Sequence, residues 1–363
     1  MPGMRTELPD PRPTTAPRHH RARPRSVRAM RALTLAFGLV LGLACSSCSD
    51  APRDAATADV TLADLNFLHG LFCPEGSDDC RLPDRTQLLF DFVVARGCPD
   101  VVTLQEIWPP SVALMEPYLA SACPFTYELV RGERRTDVDD EAVLSRYPVL
   151  SVAQRTLFPR FRRVLHLRVA HPRGDLDVYT THLGSNADGG PQPCGDDCPA
   201  ECVAAGAVTI RDCQAVQMAA FVDETHDPAL LGLVSGDFNE TPGSFVYDQF
   251  TRRGFVDAYL AAGNPECDPA TGAGCTSGRA DEELTELESP VSNETERIDF
   301  VFVVPPADPA KCAARVVPAG DDGGGTRLFA DEPNPFAPSC GAAPLPICWP
   351  SDHVGVQVAL GCG

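Results

Sequence analysis

Eight polar residues of this chain of 363 amino acids have side chains that suit metal binding and proton transfer. The first six of the set supply oxygen donors and the last two supply imidazole nitrogens: Asn66, Glu106, Asp237, Asn239, Asp299, Asp352, His182 and His353. Magnesium prefers carboxylate, amide and water oxygens, and a bound ion can polarise a phosphoryl oxygen and stabilise a leaving oxygen. The set therefore indicates metal-assisted chemistry at phosphate, although each residue taken singly is more often structural.

The first elements that must position these residues form a predicted strand–helix–strand unit. Residues 58–65 alternate as a strand does, and Asn66 stands near the carboxyl end. Apolar residues between positions 84 and 97 repeat with helical spacing, and residues 100–106 read as a β-branched strand that ends at Glu106. Since such a unit pairs its strands in parallel, Asn66 and Glu106 should share one edge of a sheet.

Four further predicted strands end or begin at the remaining residues of the set. Residues 176–180 lead to His182, and residues 229–234 lead to Asp237. Residues 298–304 form another strand, which contains Asp299 near its start. A last strand, at 354–360, directly follows Asp352 and His353. Polar residues far apart in sequence would converge if these strands lie together in one core.

Read in order, the short motifs around these residues resemble those of the endonuclease/exonuclease/phosphatase superfamily. The resemblance covers about residues 58–360 and is carried by Asp64-Leu65-Asn66, Leu104-Gln105-Glu106, Leu144-Ser145-Arg146-Tyr147-Pro148, Thr181-His182-Leu183, Gly236-Asp237-Phe238-Asn239, Arg297-Ile298-Asp299-Phe300 and Ser351-Asp352-His353. It implies a four-layer α/β sandwich, in which two packed mixed β-sheets are flanked by helices, with the active site at one end.

The resemblance also implies a metal site. Glu106 would bind the ion, Asn66 would lie near the ion and the scissile phosphate, and Asp352 would support the site or protonate the leaving group. Mg²⁺ is the expected cofactor, with Mn²⁺ or Ca²⁺ as alternatives.

The catalytic residues implied by the resemblance surround that ion. Asp237 and Asn239 would position the attacking water and the phosphate, and His182 would hydrogen-bond a phosphate oxygen. Asp299 would orient His353. The division of general acid and general base roles between these residues stays open.

The amino-terminal segment, residues 1–44, reads as a leader with a lipoprotein-type signal peptide. Its apolar run at 32–44 is thirteen residues long, too short to span a bilayer and suitable for an export signal. A compact signal begins at Met30, so translation starts either there or at Met1. Export would place the protein outside the cytoplasm, in a periplasmic or extracellular location or on a membrane.

The run ends in Leu43-Ala44-Cys45, which looks like a lipobox and predicts that Cys45 is lipidated. The alternative is ordinary cleavage nearby, which would leave Cys45 and Cys48 to pair with each other. A polar linker, residues 45–57, then leads to a single predicted domain at 58–363.

Sixteen cysteines are too many for a reducing cytosol and therefore favour export. The fourteen from Cys73 onward permit seven disulfides, with Cys73/Cys80 and Cys267/Cys275 as close pairs. Disulfide-stapled insertions are predicted at residues 186–206, 262–293 and 305–350. The alternative is a zinc site built from one group of four cysteines, Cys194, Cys198, Cys202 and Cys213.

The net charge of the chain indicates which classes of substrate it can bind tightly. The leader carries eight arginines against two acidic residues, so its removal takes the formal net charge from −20 to −26. This acidity argues against tight non-specific binding of nucleic acid but leaves room for a cation-dependent nuclease. The densest basic stretch of the exported chain either meets an anionic substrate or balances acidic neighbours: Arg160, Arg162, Arg163 and Arg168.

The sequence thus predicts a metal-dependent phosphoester hydrolase, with a phosphodiester as the expected substrate and water as the nucleophile. The alternatives are an extracellular nuclease, a sphingomyelinase-like lipid phosphodiesterase, a small-molecule phosphatase and a catalytically silent binding lipoprotein. The expected partners are a phosphoester substrate and a membrane reached through the lipid anchor. We expect the protein to be a monomer.

Overall fold

The computed structural model describes residues 59–69, 78–132, 140–159, 161–187, 189–279, 287–291, 293–320, 324–337, 339–341 and 347–363. The predicted leader, Cys45 and the linker lie outside these residues, as does Cys73. Within the described part of the chain, no helix combines the length and the apolar character needed to cross a membrane.

The described residues form thirteen strands and six helices. The strands are β1 (Val60–Asn66), β2 (Val101–Ile107), β3 (Glu128–Arg131), β4 (Asp140–Ser145), β5 (Val149–Thr156), β6 (Arg163–Val169), β7 (Leu176–His182), β8 (Leu231–Asp237), β9 (Val256–Asp257), β10 (Asp299–Val304), β11 (Arg315–Val316), β12 (Arg327–Phe329) and β13 (Gly355–Gly361). The helices are α1 (Asp78–Ala95), α2 (Pro109–Leu119), α3 (Ala200–Ala205), α4 (Ile210–Thr225), α5 (Phe245–Thr251) and α6 (Ala258–Ala261).

The strands build two mixed sheets. The first has the order β11-β13-β1-β2-β4-β3, with β12 also paired to β13, and the second has the order β5-β6-β7-β8-β10-β9. Each sheet has one parallel pair at its centre, β1 with β2 and β7 with β8. The strands β13 and β10 run antiparallel to these pairs, so they begin where the parallel strands end.

Apolar side chains divide the structure into layers. One buried cluster lies between the sheets and draws on both, with Leu62 and Val358 from the first and Leu167 and Leu233 from the second. A second cluster packs α1 and α2 on the outer face of the first sheet. A third packs α4 and α5 on the outer face of the second sheet. The predicted four-layer α/β sandwich is therefore confirmed.

Disulfides staple the segments that connect these layers. Six join pairs of described cysteines: Cys98–Cys123, Cys194–Cys198, Cys202–Cys213, Cys267–Cys275, Cys312–Cys362 and Cys340–Cys348. Cys80 is also disulfide-bonded. The zinc alternative is wrong in this structure, because its four cysteines are consumed in two disulfides and offer no thiolates.

The basic stretch of β6 is neutralised within the protein. Arg163 is buried with its Nε 3.7 Å from a carboxylate oxygen of Glu141, and the Nε of Arg168 donates to Asp177 at 2.9 Å. These contacts favour the interpretation that the arginines balance acidic neighbours. Arg160 lies outside the described residues.

Candidate active site

The predicted site residues meet at one end of the sandwich because of strand direction. Asn66, Glu106, His182 and Asp237 lie at or near the carboxyl ends of β1, β2, β7 and β8. Asp299 opens the antiparallel strand β10. All but Glu106 are buried. The sheets thus bring together residues that are up to 233 positions apart in the chain.

Asn66 links the two sheets through its amide group. Its Nδ2 donates to Glu106 Oε1 at 3.0 Å and to Asp237 Oδ2 at 3.1 Å, while its Oδ1 accepts from the backbone N–H of Leu68 at 3.0 Å. A direct metal bond from Asn66 requires the amide oxygen to face the site, and here that oxygen faces Leu68. In this arrangement Asn66 holds two carboxylates in place through its Nδ2, and its role as a metal ligand stays a prediction.

His182 lies between the same two carboxylates. Its Nε2 is 3.4 Å from Asp237 Oδ2, and its Nδ1 is 3.9 Å from Glu106 Oε1. The neighbouring strand approaches closely, since a Cβ at Gly236 would overlap the carbonyl oxygen of Thr181. A glycine at this position therefore lets β8 place Asp237 against the histidine.

His353 and Asp299 form the predicted hydrogen-bonded pair. The ring Nδ1 lies 3.0 Å and 3.2 Å from the two carboxylate oxygens of Asp299, and Nε2 is 3.9 Å from Asp237 Oδ2. Arg297, two residues earlier in the chain, binds Asp257 and Glu266 instead of Asp299. One ring nitrogen is therefore held by Asp299 while the other faces the site.

Burial and like charges set the protonation of this pair. Complete burial, with repulsion from Asp237, raises the pKa of Asp299 to about 6, even though His353 acts in the opposite direction. Burial lowers the pKa of His353, but the carboxylates of Asp299, Asp352 and Asp237 outweigh it and raise that pKa well above its usual value. At neutral pH the imidazole is therefore held in its protonated form.

The two remaining predicted residues flank this centre. The backbone N–H of Asn239 donates to Asp237 Oδ1 at 2.8 Å, and its side-chain Nδ2 donates to the carbonyl of Leu183 at 3.1 Å. Asp352 is partly exposed next to His353, and its Oδ1 accepts from Ser351 Oγ at 3.0 Å. Asn239 thus fixes the orientation of Asp237, while Asp352 adds negative charge at the rim.

The donor set fits a divalent cation. Glu106 and Asp237 converge on one amide group, and among the described residues the ion pairs of Asp237 involve only histidines. Asp237, Asp299 and His353 also lie close enough together to share an ion. We favour Glu106 as the main ligand, because its side chain is 14% exposed whereas Asp299 is fully buried against His353. Clustered carboxylates of this kind suit a hard ion such as Mg²⁺.

The sequence matches the profile of the Endonuclease/Exonuclease/phosphatase family over residues 65–353. The chain belongs to this family. Its members are metal-dependent phosphoesterases, which agrees with the convergence of carboxylates and imidazoles at one end of the sandwich. We found no match among curated protein sequences.

Solved structures show the same fold at low sequence identity. Truncated TDP2 from Caenorhabditis elegans is 17% identical with a TM-score of 0.53, and the match covers 84% of this chain and 97% of that one. A mannosyl-6-phosphatase from Bacteroides thetaiotaomicron is 18% identical with a TM-score of 0.53, covering 83% and 99%. D. rerio TDP2 complexed with a single-strand DNA product is 18% identical with a TM-score of 0.50, covering 82% and 97%.

The sequence did not reveal a group of buried arginines that hold the loops around the candidate site. Each donates to backbone carbonyls of segments that carry site residues: Arg85 to Phe67, Leu68 and Pro350, Arg211 to Gly184 and Asn239, and Arg279 to Ser351 and His353. A hydrogen bond from a charged donor contributes about 1.5–3 kcal/mol. Three guanidiniums thus fix loops that no regular element stabilises.

Proposed function

We propose that this member of the family is an exported, Mg²⁺-dependent phosphodiesterase that uses an activated water as nucleophile. The observation that carries the proposal is a continuous row of alternating acids and imidazoles: Glu106, His182, Asp237, His353 and Asp299. Successive members approach within 3.0–3.9 Å. Such a row can position a water, bind a phosphoryl group and move a proton at one place.

The residues suggest a division of labour. Asp237 Oδ2, which faces two imidazoles, would accept a proton from the attacking water, and His182 Nε2 would donate to a phosphoryl oxygen. Protonated His353, oriented by Asp299, would stabilise negative charge that develops on the phosphoryl group. A divalent ion bound at Glu106 would supply Lewis acidity there. The water oxygen forms the new bond to phosphorus as the bond to the leaving oxygen breaks, and that oxygen gains a proton from Asp352 or solvent.

Comparing two chromogenic substrates tests the reaction class. Hydrolysis of bis(p-nitrophenyl) phosphate should exceed that of p-nitrophenyl phosphate, should need a divalent ion and should be lost on chelation. His353→Ala serves as the inactive control. Preference for the monoester would favour a phosphatase, which the fold shared with a mannosyl-6-phosphatase also permits. No turnover of either substrate with Mg²⁺, Mn²⁺ or Ca²⁺ would favour the silent binding lipoprotein.

A second panel distinguishes natural substrates. The acidity of the exported chain and the internal pairing of the β6 arginines count against a nuclease, although a similar fold has been solved with a single-strand DNA product. DNA, RNA, sphingomyelin, phosphatidylinositol phosphates and nucleotides should therefore be compared under one set of conditions. Turnover of lipid head groups above that of DNA is the expected result.

We also propose export and attachment to a membrane through lipidated Cys45, with the domain beginning near residue 58. The disulfides support an oxidising compartment. A Cys45→Ser protein should lose membrane association while keeping its turnover. Mass spectrometry that finds an unmodified residue at the mature amino terminus would end the tether proposal, and sedimentation would check that the protein is a monomer.

A further inference from the structure

His69 lies at the rim of the site beside Glu106, and neither the motifs nor the proposed function gives it a role. Its backbone N–H donates to Glu106 Oε2 at 2.9 Å, and its ring Nε2 is 3.4 Å from the same oxygen. The two side chains are 13% and 14% exposed. The imidazole therefore reaches the carboxylate that is best placed to bind an ion.

The backbone is bent to make this approach. Leu68 and Glu106 have φ angles of 57° and 59°, in the left-handed region that residues with a side chain seldom adopt. A residue with a side chain is strained in this region, because its Cβ lies close to the following carbonyl oxygen. The chain thus places two unfavourable residues at the ends of neighbouring strands, where they aim His69 and the Glu106 carboxylate at each other.

A second imidazole approaches Glu106 from its other oxygen. His182 Nδ1 is 3.9 Å from Oε1, whereas His69 Nε2 is near Oε2. An ion at this carboxylate would therefore have nitrogen donors within reach as well as oxygens. Mn²⁺ accepts oxygen ligands as Mg²⁺ and Ca²⁺ do, but as a transition ion it binds imidazole nitrogen more readily than those two ions.

We propose that His69 is a nitrogen donor to the ion held at Glu106, and that it raises the affinity for Mn²⁺ relative to Mg²⁺. The proposal rests on the proposed function only through the binding of metal at Glu106. Mg²⁺ keeps several of its waters in protein sites, so a water can take the place of the imidazole at little cost. The effect of losing His69 should therefore depend on the metal.

Isothermal titration of the whole protein with Mn²⁺ and Mg²⁺ measures this without any substrate. His69→Ala should weaken Mn²⁺ binding on the order of 10–100-fold and Mg²⁺ binding by less than about threefold. His226→Gln is a matched control, because the His226 side chain is 10% exposed and its Nδ1 lies 3.2 Å from a carboxylate oxygen of Asp177. This contact is not part of the candidate metal site. This control should leave both affinities unchanged.

A second variant separates donation to the metal from mere support of Glu106. His69→Gln keeps a hydrogen-bond donor near the carboxylate but loses the imidazole, so it should behave like His69→Ala. Electron spin echo spectroscopy of the Mn²⁺ complex should show one nitrogen coupling fewer in both variants. Full Mn²⁺ affinity in His69→Gln, or equal losses for both metals in His69→Ala, would overturn the proposal.

Glu106→Gln shows which proposal has failed. If this variant loses metal binding while His69→Ala keeps the wild-type ratio of affinities, only the role of His69 is wrong. If Glu106→Gln binds both metals as well as wild type, the ion is not held at Glu106, and the metal site of the proposed function is wrong as well.

Discussion

Two fully buried aspartates of the second sheet each contact a histidine, but their pKa values are shifted in opposite directions. Asp177 near the start of β7 accepts from His166 Nε2 at 2.9 Å, and Asp299 at the site end accepts from His353 Nδ1 at 3.0 Å. Burial disfavours the charged form of both carboxylates. Judged by burial and by the contact with histidine alone, the two clusters could not be told apart.

The further neighbours make the difference. Although burial acts to raise the pKa of Asp177, hydrogen bonds from His166, His226 and Arg168 outweigh it and hold that pKa well below the usual range. For Asp299, burial together with repulsion from another carboxylate, Asp237, outweighs the contact with His353 and raises the pKa to about 6. One end of the sheet is electrostatically satisfied, and the other end keeps unbalanced negative charge.

The comparison indicates how to separate a structural cluster from a functional one. A charge that is fully compensated by fixed donors contributes stability but has no capacity left for an ion or a substrate. A cluster of repelling carboxylates costs stability and gains when a cation or a proton arrives. The following variants test whether stability belongs to the Asp177 end and function to the Asp299 end.

The largest expected effect is on catalysis at the Asp299 end. His353→Ala should lower turnover roughly 100- to 10,000-fold, because it removes the proton-carrying group that faces Asp237. Asp299→Asn should lower turnover less, since the ring stays in place with a weaker partner. Steady-state kinetics on the chromogenic diester measures both effects.

The double variant tests whether the two residues act as one unit. Asp299→Asn added to His353→Ala should change turnover little further, because the carboxylate acts through the ring. Independent, additive losses would mean that Asp299 works in some other way. Circular dichroism of each variant confirms that the loss is not one of folding.

The next effect is on stability at the other end. Asp177→Asn should lower the free energy of unfolding at pH 7 toward the lower end of about 3–5 kcal/mol, because it removes the charge that the surrounding hydrogen-bond donors compensate. Turnover per folded molecule should stay near wild type. Urea denaturation followed by tryptophan fluorescence gives the first quantity, and active-site titration the second.

The same variant has a defined dependence on pH. The pKa of Asp177 is lower in the folded protein than in the unfolded chain, so the stability it contributes is present above the unfolded pKa and is lost as pH falls toward the folded one. The difference between wild type and Asp177→Asn should therefore shrink below about pH 4. A gap that stays constant from pH 7 to pH 3 would contradict an electrostatic origin.

Metal binding gives a third, smaller effect at the site end. Glu106→Gln should weaken Mg²⁺ binding on the order of 10–100-fold, because a neutral amide replaces a charged oxygen beside other carboxylates. Part of the lost turnover should return in excess metal. An unchanged dependence of turnover on Mg²⁺ concentration would place Glu106 away from the ion.

The residues that the sequence predicts for the site lie close together in the fold because they stand at or near the ends of strands with strong local patterns. The strands β1, β2, β7, β8, β10 and β13 follow alternating or continuously apolar stretches, and their directions bring the motifs together. The prediction for α1 began at residue 84, whereas the helix begins at Asp78. Pro83 lies inside this helix, and a proline is usually a helix boundary in sequence, so the pattern predicts the start after it.

Other features could not be predicted because their partners are distant in the chain. Arg163 and His166 in β6 are buried, whereas charged and polar side chains of these types are more often exposed. Arg85 donates to the carbonyl of Pro350, which is 265 positions away, and no local pattern marks such a pair. His69 is different, since it follows Asn66 by three residues and that loop could have been searched for further donors.

The smallest expected effect is the stability of Asp299→Asn, and it sharpens the comparison most. Burial and repulsion by Asp237 oppose the charged form of Asp299, while contact with His353 favours it. Asp299→Asn therefore removes an unfavourable and a favourable contribution to stability at the same time. We expect the free energy of unfolding at pH 7 to change by less than about 1 kcal/mol, against a loss several times larger for Asp177→Asn. Both substitutions replace aspartate by asparagine, which has nearly the same shape, and both sites are fully buried. Packing therefore cannot explain a difference in stability between the two variants. Equal losses in urea denaturation would show that the two clusters are alike in stability, and the electrostatic distinction between the two ends of the sheet would be wrong.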